Sequence, residues 1–98
     1  MENSKLKPNE INDGLVLIKF GSPTCGPCNQ LKPHFEELAE NIDGVEFLSI
    51  NPQEDMDWVI EYGIRSIPTT MLFKDKKPVN KVTGNNIDQI KDMVVNNM

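Results

Sequence analysis

The run Leu15-Val16-Leu17-Ile18-Lys19-Phe20 limits what this chain can fold into more than any other segment. It follows the turn pair Asp13-Gly14 and stops at Gly21-Ser22-Pro23. It is apolar almost throughout, without polar alternation, which fits a central strand buried on both faces rather than a half-solvated one. Such a strand needs neighbours on either side and helices above and below it. The rest of the chain has to supply them.

The sequence downstream does so. Leu31, Phe35 and Leu38, with Ile42 beyond them, recur at helical spacing and predict a helix over 26–40. Pro33 lies inside it and should kink it, because proline lacks an N–H and crowds the carbonyl four residues back. Asn41-Ile42-Asp43-Gly44 ends that helix, and 45–50 reads as a second strand broken by Asn51-Pro52. Residues 54–62 read as a helix with acidic groups in its first turn, the favourable end for them, and Gly63 as its stop. A hairpin follows, with strands over 69–73 and 78–83 and a turn at Asp75-Lys76-Lys77. Asn85 or Asn86 caps a last helix to about residue 96, with Ile87, Ile90 and Val94 on one face. Ahead of the first strand, Lys5-Leu6-Lys7 reads as a short edge strand and 9–12 as a turn. The order predicts an α/β fold with a mixed sheet of four strands and helices on both faces.

The chain of 98 residues has room for one domain, 1–98, and one small core. The longest apolar run, Leu15 to Ile18, is four residues, far below the roughly 18–20 that cross a bilayer. The opening residues Met1 to Lys5 lack the apolar stretch of a secretory signal, so a cytoplasmic protein, or one whose signal has been removed, is expected. Lysine and arginine total 10 against 15 aspartates and glutamates, a net charge of -5. That balance predicts no nucleic-acid partner, and the shortness of the apolar runs predicts no membrane partner. Lys74, Lys76 and Lys77 form the one basic cluster, interrupted by Asp75, and read as a solvated turn.

The two cysteines are Cys25 and Cys28. A bridge between them would close too short a loop to constrain the unfolded chain much, so a reactive pair is the better reading than a staple. They fall where the central strand ends and a helix begins. Unpaired N–H groups and the positive end of the helix dipole stabilise a thiolate there, so Cys25 is expected to be the exposed nucleophile with a lowered pKa. Cys28, one turn inward, is expected to be the more buried resolving thiol. Pro27 suits the first turn, where its missing N–H costs nothing. The chemistry implied is thiol–disulfide exchange.

Residues Val16 to Cys28, ending in Cys25-Gly26-Pro27-Cys28, resemble the active-site strand and turn of the thioredoxin family. Pro33, the segment Tyr62-Gly63-Ile64-Arg65-Ser66-Ile67-Pro68-Thr69 and Val82-Thr83-Gly84 extend the resemblance to the C-terminus. It implies a thioredoxin fold and a protein-disulfide reductase. It implies a cis Pro68 that brings the Ile67 backbone beside the cysteines to pair with an extended substrate. It further implies a groove of Thr24, Gly26, Pro27, Ile67, Pro68, Thr83 and Gly84 around Cys25, protein disulfides as substrates, and an NADPH-dependent thioredoxin reductase as electron donor. No cofactor is expected on the chain itself, and a monomer is expected.

Three departures stand out. Thr24 occupies the place of the family's usual Trp, and Trp58 cannot replace it from the second helix, where it should pack partly in the core. Lys19 occupies the place of a buried Asp that moves protons for the resolving cysteine. A lysine there favours thiolates by charge, so Lys19 is a candidate catalytic residue; the plainer alternative is that it snorkels to solvent. With only 14 residues before Leu15, the family's first strand and helix should be absent or reduced to a turn. Two other functions compete: a glutaredoxin-like, glutathione-linked reductase, and a thioredoxin-fold interaction subunit with little turnover. Metal binding is not expected, since Cys25, Cys28 and the lone His34 do not complete a tetrahedral site. His34 reads as an ordinary surface or half-buried residue.

Overall fold

The structure, a computed structural model, describes residues 6–98. Strand β1 (Leu15–Phe20) pairs in parallel with β2 (Val45–Ile50) and antiparallel with β3 (Thr69–Lys74), and β3 pairs antiparallel with β4 (Lys77–Thr83). The sheet order is β2-β1-β3-β4, so the apolar run of the sequence is central, with Val16–Phe20 all buried. Side chains alternate across that strand. Val16, Ile18 and Phe20 enter one core with Trp58 and Phe73. Leu17 enters the other, with Leu31, Phe35 and Ile90. Helices α1 (Gly26–Asn41) and α3 (Ile87–Val95) cover this second face, and α2 (Met56–Tyr62) covers the first.

Several boundaries differ from expectation. Residues 6 and 7 form no strand, and Lys5 lies outside the described residues. Pro8–Glu10 is instead a 3-10 turn, started by Pro8 and closed by Glu10, whose carboxylate accepts the Lys7 N–H at 2.7 Å. The Leu6 carbonyl accepts the Trp58 indole N–H at 2.8 Å. Helix α2 starts at Met56 rather than 54. Asn51 holds residues 52–54 in a turn, accepting from Gln53 N–H and Glu54 N–H at 3.0 Å, and Asp55 caps the helix by accepting from Asp57 N–H at 3.2 Å. The hairpin turn is tighter than expected: Lys77 belongs to β4, and Asp75 and Lys76 take positive φ values of 51° and 71°. Two bonds between Gly14 and Asp75, each 2.9 Å, hold that turn against the start of β1. Helix α1 contains Pro33, as expected, and ends at Asn41, one residue later than expected. Trp58 is wholly rather than partly buried, with ring centroids of Phe20 and Tyr62 at 5.4 and 5.8 Å.

Among the described residues no helix is long and apolar enough to cross a membrane. Lys74, Lys76 and Lys77 are solvent-exposed at the hairpin turn.

Candidate active site

The end of β1 and the start of α1 build the site. Cys25 is the N-cap of α1, in extended conformation with φ -92° and ψ 116°, and Gly26 and Pro27 are the first helical residues. Cys25 and Cys28 are joined as a disulfide, their Cα atoms 5.2 Å apart. The Cys28 N–H donates to Cys25 Sγ at 3.2 Å, the bond an N-cap side chain makes to an otherwise unpaired first-turn donor. Cys25 is half-buried; Cys28 is buried at 4% exposure. The partially accessible sulfur is therefore the one that sits on the helix N-terminus. Reduction would leave the same N–H facing a thiol or thiolate, and a charge-assisted bond favours the thiolate.

The loop before β3 closes over this turn. The Ile67–Pro68 peptide bond is cis, and the Ile67 carbonyl oxygen lies 3.9 Å from Cys25 Sγ. In the disulfide this is a contact only, because the sulfur has no hydrogen to donate. Gly84, at φ +98°, donates its N–H to the Pro68 carbonyl at 2.9 Å and locks β4 to the same loop. Ile67 is half-buried and makes no backbone hydrogen bond among the described residues. Thr24, Gly26 and Pro27 are exposed on the rim, with the Thr24 hydroxyl 3.3 Å from that of Ser22. Thr83 is exposed and lines a cleft with Arg65 and Ser66.

Lys19 is buried, at 6% exposure, and does not snorkel to bulk solvent. Its ammonium lies 5.3 Å from the centroid of the Phe35 ring, an attractive cation–π arrangement. The sheet register sets Ser49 and Thr70 on either side of it, a row of three buried polar residues at the end of an otherwise apolar face. Lys19, Ser49, Ser22 and Lys32 wall a cavity of about 120 Å³ that reaches Cys28. Sequence reasoning did not single out Ser22, Ser49 or Lys32. The pairing of β1 with β2 was the signal available for Ser49, since in that register it lies opposite Lys19. Gly21 was read only as the end of a strand, yet a Cβ there would come within 3.0 Å of Cys28 Sγ. His34 is exposed, and among the described residues no group of three potential ligands could hold a metal ion.

Comparison with known proteins agrees with this geometry. A family model described as Thioredoxin matches residues 3–96. A thioredoxin of Staphylococcus epidermidis is 39% identical over 77 residues, which is 78% of this chain and 74% of that protein. Thioredoxin 1 of Synechococcus elongatus is 43% identical over 70 residues, 70% of this chain and 65% of that one. Among solved structures, Fasciola hepatica thioredoxin superposes with a TM-score of 0.84 at 28% identity, covering 92% of this chain and 86% of that chain. The reduced Schistosoma mansoni thioredoxin pre-protein does so at 0.82 and 29%, covering 88% and 81%.

Proposed function

Because the chain belongs to the thioredoxin family and is a thiol–disulfide oxidoreductase, we propose that it acts as a reductant of protein disulfides, with Cys25 attacking and Cys28 resolving. The observation that carries the assignment is the bond from Cys28 N–H to Cys25 Sγ at the start of α1. It marks Cys25 as the sulfur whose negative charge the helix supports.

The Cys25 thiolate attacks one sulfur of a substrate disulfide, the substrate S–S bond breaks, and one substrate thiolate leaves. Cys28 then loses its proton and attacks Cys25 Sγ, which expels the second substrate sulfur. Two electrons have passed to the substrate and the chain is left with the Cys25–Cys28 disulfide. An external dithiol must reduce that bond again, and family resemblance points to an NADPH-dependent thioredoxin reductase. The Ile67 backbone offers hydrogen bonds to an extended substrate segment beside Cys25, in the manner of strand addition. Thr24, Gly26, Pro27, Pro68 and Gly84 complete that groove. Lys19, from the cavity behind Cys28, favours the thiolate at the resolving step by its charge. The chain works as a single domain and a monomer in the cytoplasm.

Trapping tests the roles. Cys28→Ser removes the resolving thiol, so a mixed disulfide on Cys25 should accumulate with a peptide disulfide and dissolve on adding a strong reductant. A variant that releases reduced substrate as fast as the parent chain would overturn the assignment. Adduct formation that persists in Cys25→Ser would do the same.

A further inference from the structure

We propose that the cleft between β4 and the loop from α2 to β3 is a carboxylate-binding subsite, which selects disulfide substrates carrying an aspartate or glutamate near the reacting cysteine. The proposal rests on the reductase reading above and adds a substrate class to it.

The cleft has a volume of about 270 Å³, and its walls include Arg65, Ser66, Thr69, Lys81 and Thr83 but no carboxylate. Three elements supply these residues. Arg65 and Ser66 come from the loop after α2. Thr69 opens β3, opposite Thr83 of β4, and Lys81 lies two residues before Thr83. Side chains two residues apart in a strand share a face, so Lys81 and Thr83 project to the same side. Arg65 and Lys81 are both exposed, and neither forms a salt bridge with a described residue. The Thr69 hydroxyl donates to the Ser66 carbonyl at 2.8 Å and fixes the loop against the strand. The hydroxyls of Ser66 and Thr83 make no hydrogen bond among the described residues and remain able to donate. A guanidinium, an ammonium and two hydroxyl donors converging on one cleft match the acceptor-only chemistry of a carboxylate.

The residues that line the cleft are chain neighbours of those at the redox site. Ser66 immediately precedes Ile67, whose carbonyl touches Cys25 Sγ, and Thr83 immediately precedes Gly84, whose N–H holds Pro68. A substrate segment extended along Ile67 advances ~3.4 Å per residue, and the proposal has a side chain two or three positions from its cysteine enter the cleft. The chain as a whole carries a charge of -5 and on that ground alone would repel acidic peptides. The local cations therefore predict an order of preference opposite to that of the net charge.

The test is a single-turnover measurement of the reduced protein with three peptide disulfides that differ only in Glu, Gln or Lys two residues from the cysteine. At low salt the Glu peptide should be reduced about fivefold faster than the Gln peptide, and the Lys peptide slowest. The preference should shrink in roughly 1 M salt. It should collapse in Arg65→Gln/Lys81→Gln and invert in Lys81→Glu. Each comparison is a ratio within one protein preparation, so a general loss of rate in a variant does not alter it. Equal rates, a preference for Lys, or a Glu preference that survives the double substitution overturn the subsite while leaving the reductase reading intact. Failure to reduce any of the three peptides overturns the reductase reading and the subsite with it.

Discussion

At Lys19 a single residue decides whether the cavity behind Cys28 is electrostatically positive or merely polar. Its stem and ammonium are buried among Phe35, Ser49 and Cys28, where charge is screened less than at a surface. Replacing it with methionine keeps most of the buried volume and removes the charge. The pH profile for alkylation of the reduced cysteines in Lys19→Met should then move upward by about one unit, because a lost cation no longer favours the thiolates. Lys19→Arg should restore the parent profile, which a purely steric role would not do. Identical profiles in all three proteins would remove Lys19 from the mechanism. The position was legible in the sequence because a charged residue interrupts an apolar strand six residues before Cys25. Where its ammonium ends was not, since a lysine on a buried strand can still snorkel to solvent, and only the packing over Phe35 shows that this one does not. Ser49 could be reached only through the pairing of β1 with β2, and Ser22 and Lys32 join it only through the docking of α1.

Among the elements, those with long periodic patterns were legible and the short ones were not. The continuous run of β1, the helical spacing of Leu31, Phe35 and Leu38 in α1, and Ile90 and Val94 in α3 each fixed an element from local pattern alone. Helix α2 is only seven residues long, and its true cap, Asp55, stands beside Glu54 in an acidic pair that the sequence does not resolve. Its worth lies in tertiary packing. Trp58 and Tyr62 fill the face beneath it, with Tyr62 edge-on to Phe73 at 5.2 Å. Burial, and after it the Glu61 carboxylate, push the Tyr62 phenol above its ordinary 10.0. The native chain thus holds that proton more tightly than the unfolded chain. The resulting stability is fully present below the unfolded value and is lost as pH rises through 10.0 toward the raised native value. Between about pH 9 and about pH 11 the urea midpoint of the parent protein should therefore fall further than that of Tyr62→Phe. Equal declines in the two proteins would show that Tyr62 ionises no differently when folded.

The whole molecule is two cores on opposite faces of one sheet. One holds Trp58, Phe20 and Phe73 under α2, and the other holds Leu31, Phe35 and Ile90 under α1 and α3. Strands β1 and β3 contribute to both, so neither face can lose its strands without exposing the other. Cys25 and Cys28 lie at the end of β1 on the α1 side. The Pro68 loop that covers them leads into β3, so the site too depends on both central strands. This coupling predicts a single cooperative unfolding transition. The lone tryptophan, Trp58, reports the α2 core by fluorescence, and far-ultraviolet circular dichroism is dominated by α1 and α3 on the other face. In urea the two signals should trace one curve with a common midpoint and a slope of about 1–2 kcal/mol/M. Separated midpoints would mean that one face opens while the sheet stays intact, which strands shared by both cores should not permit. If the transitions coincide, a substitution in either core should lower both signals together. Trp58→Phe, which removes the indole bond to Leu6 and part of the packing, should then shift the circular dichroism of α1 and α3 although it touches neither helix.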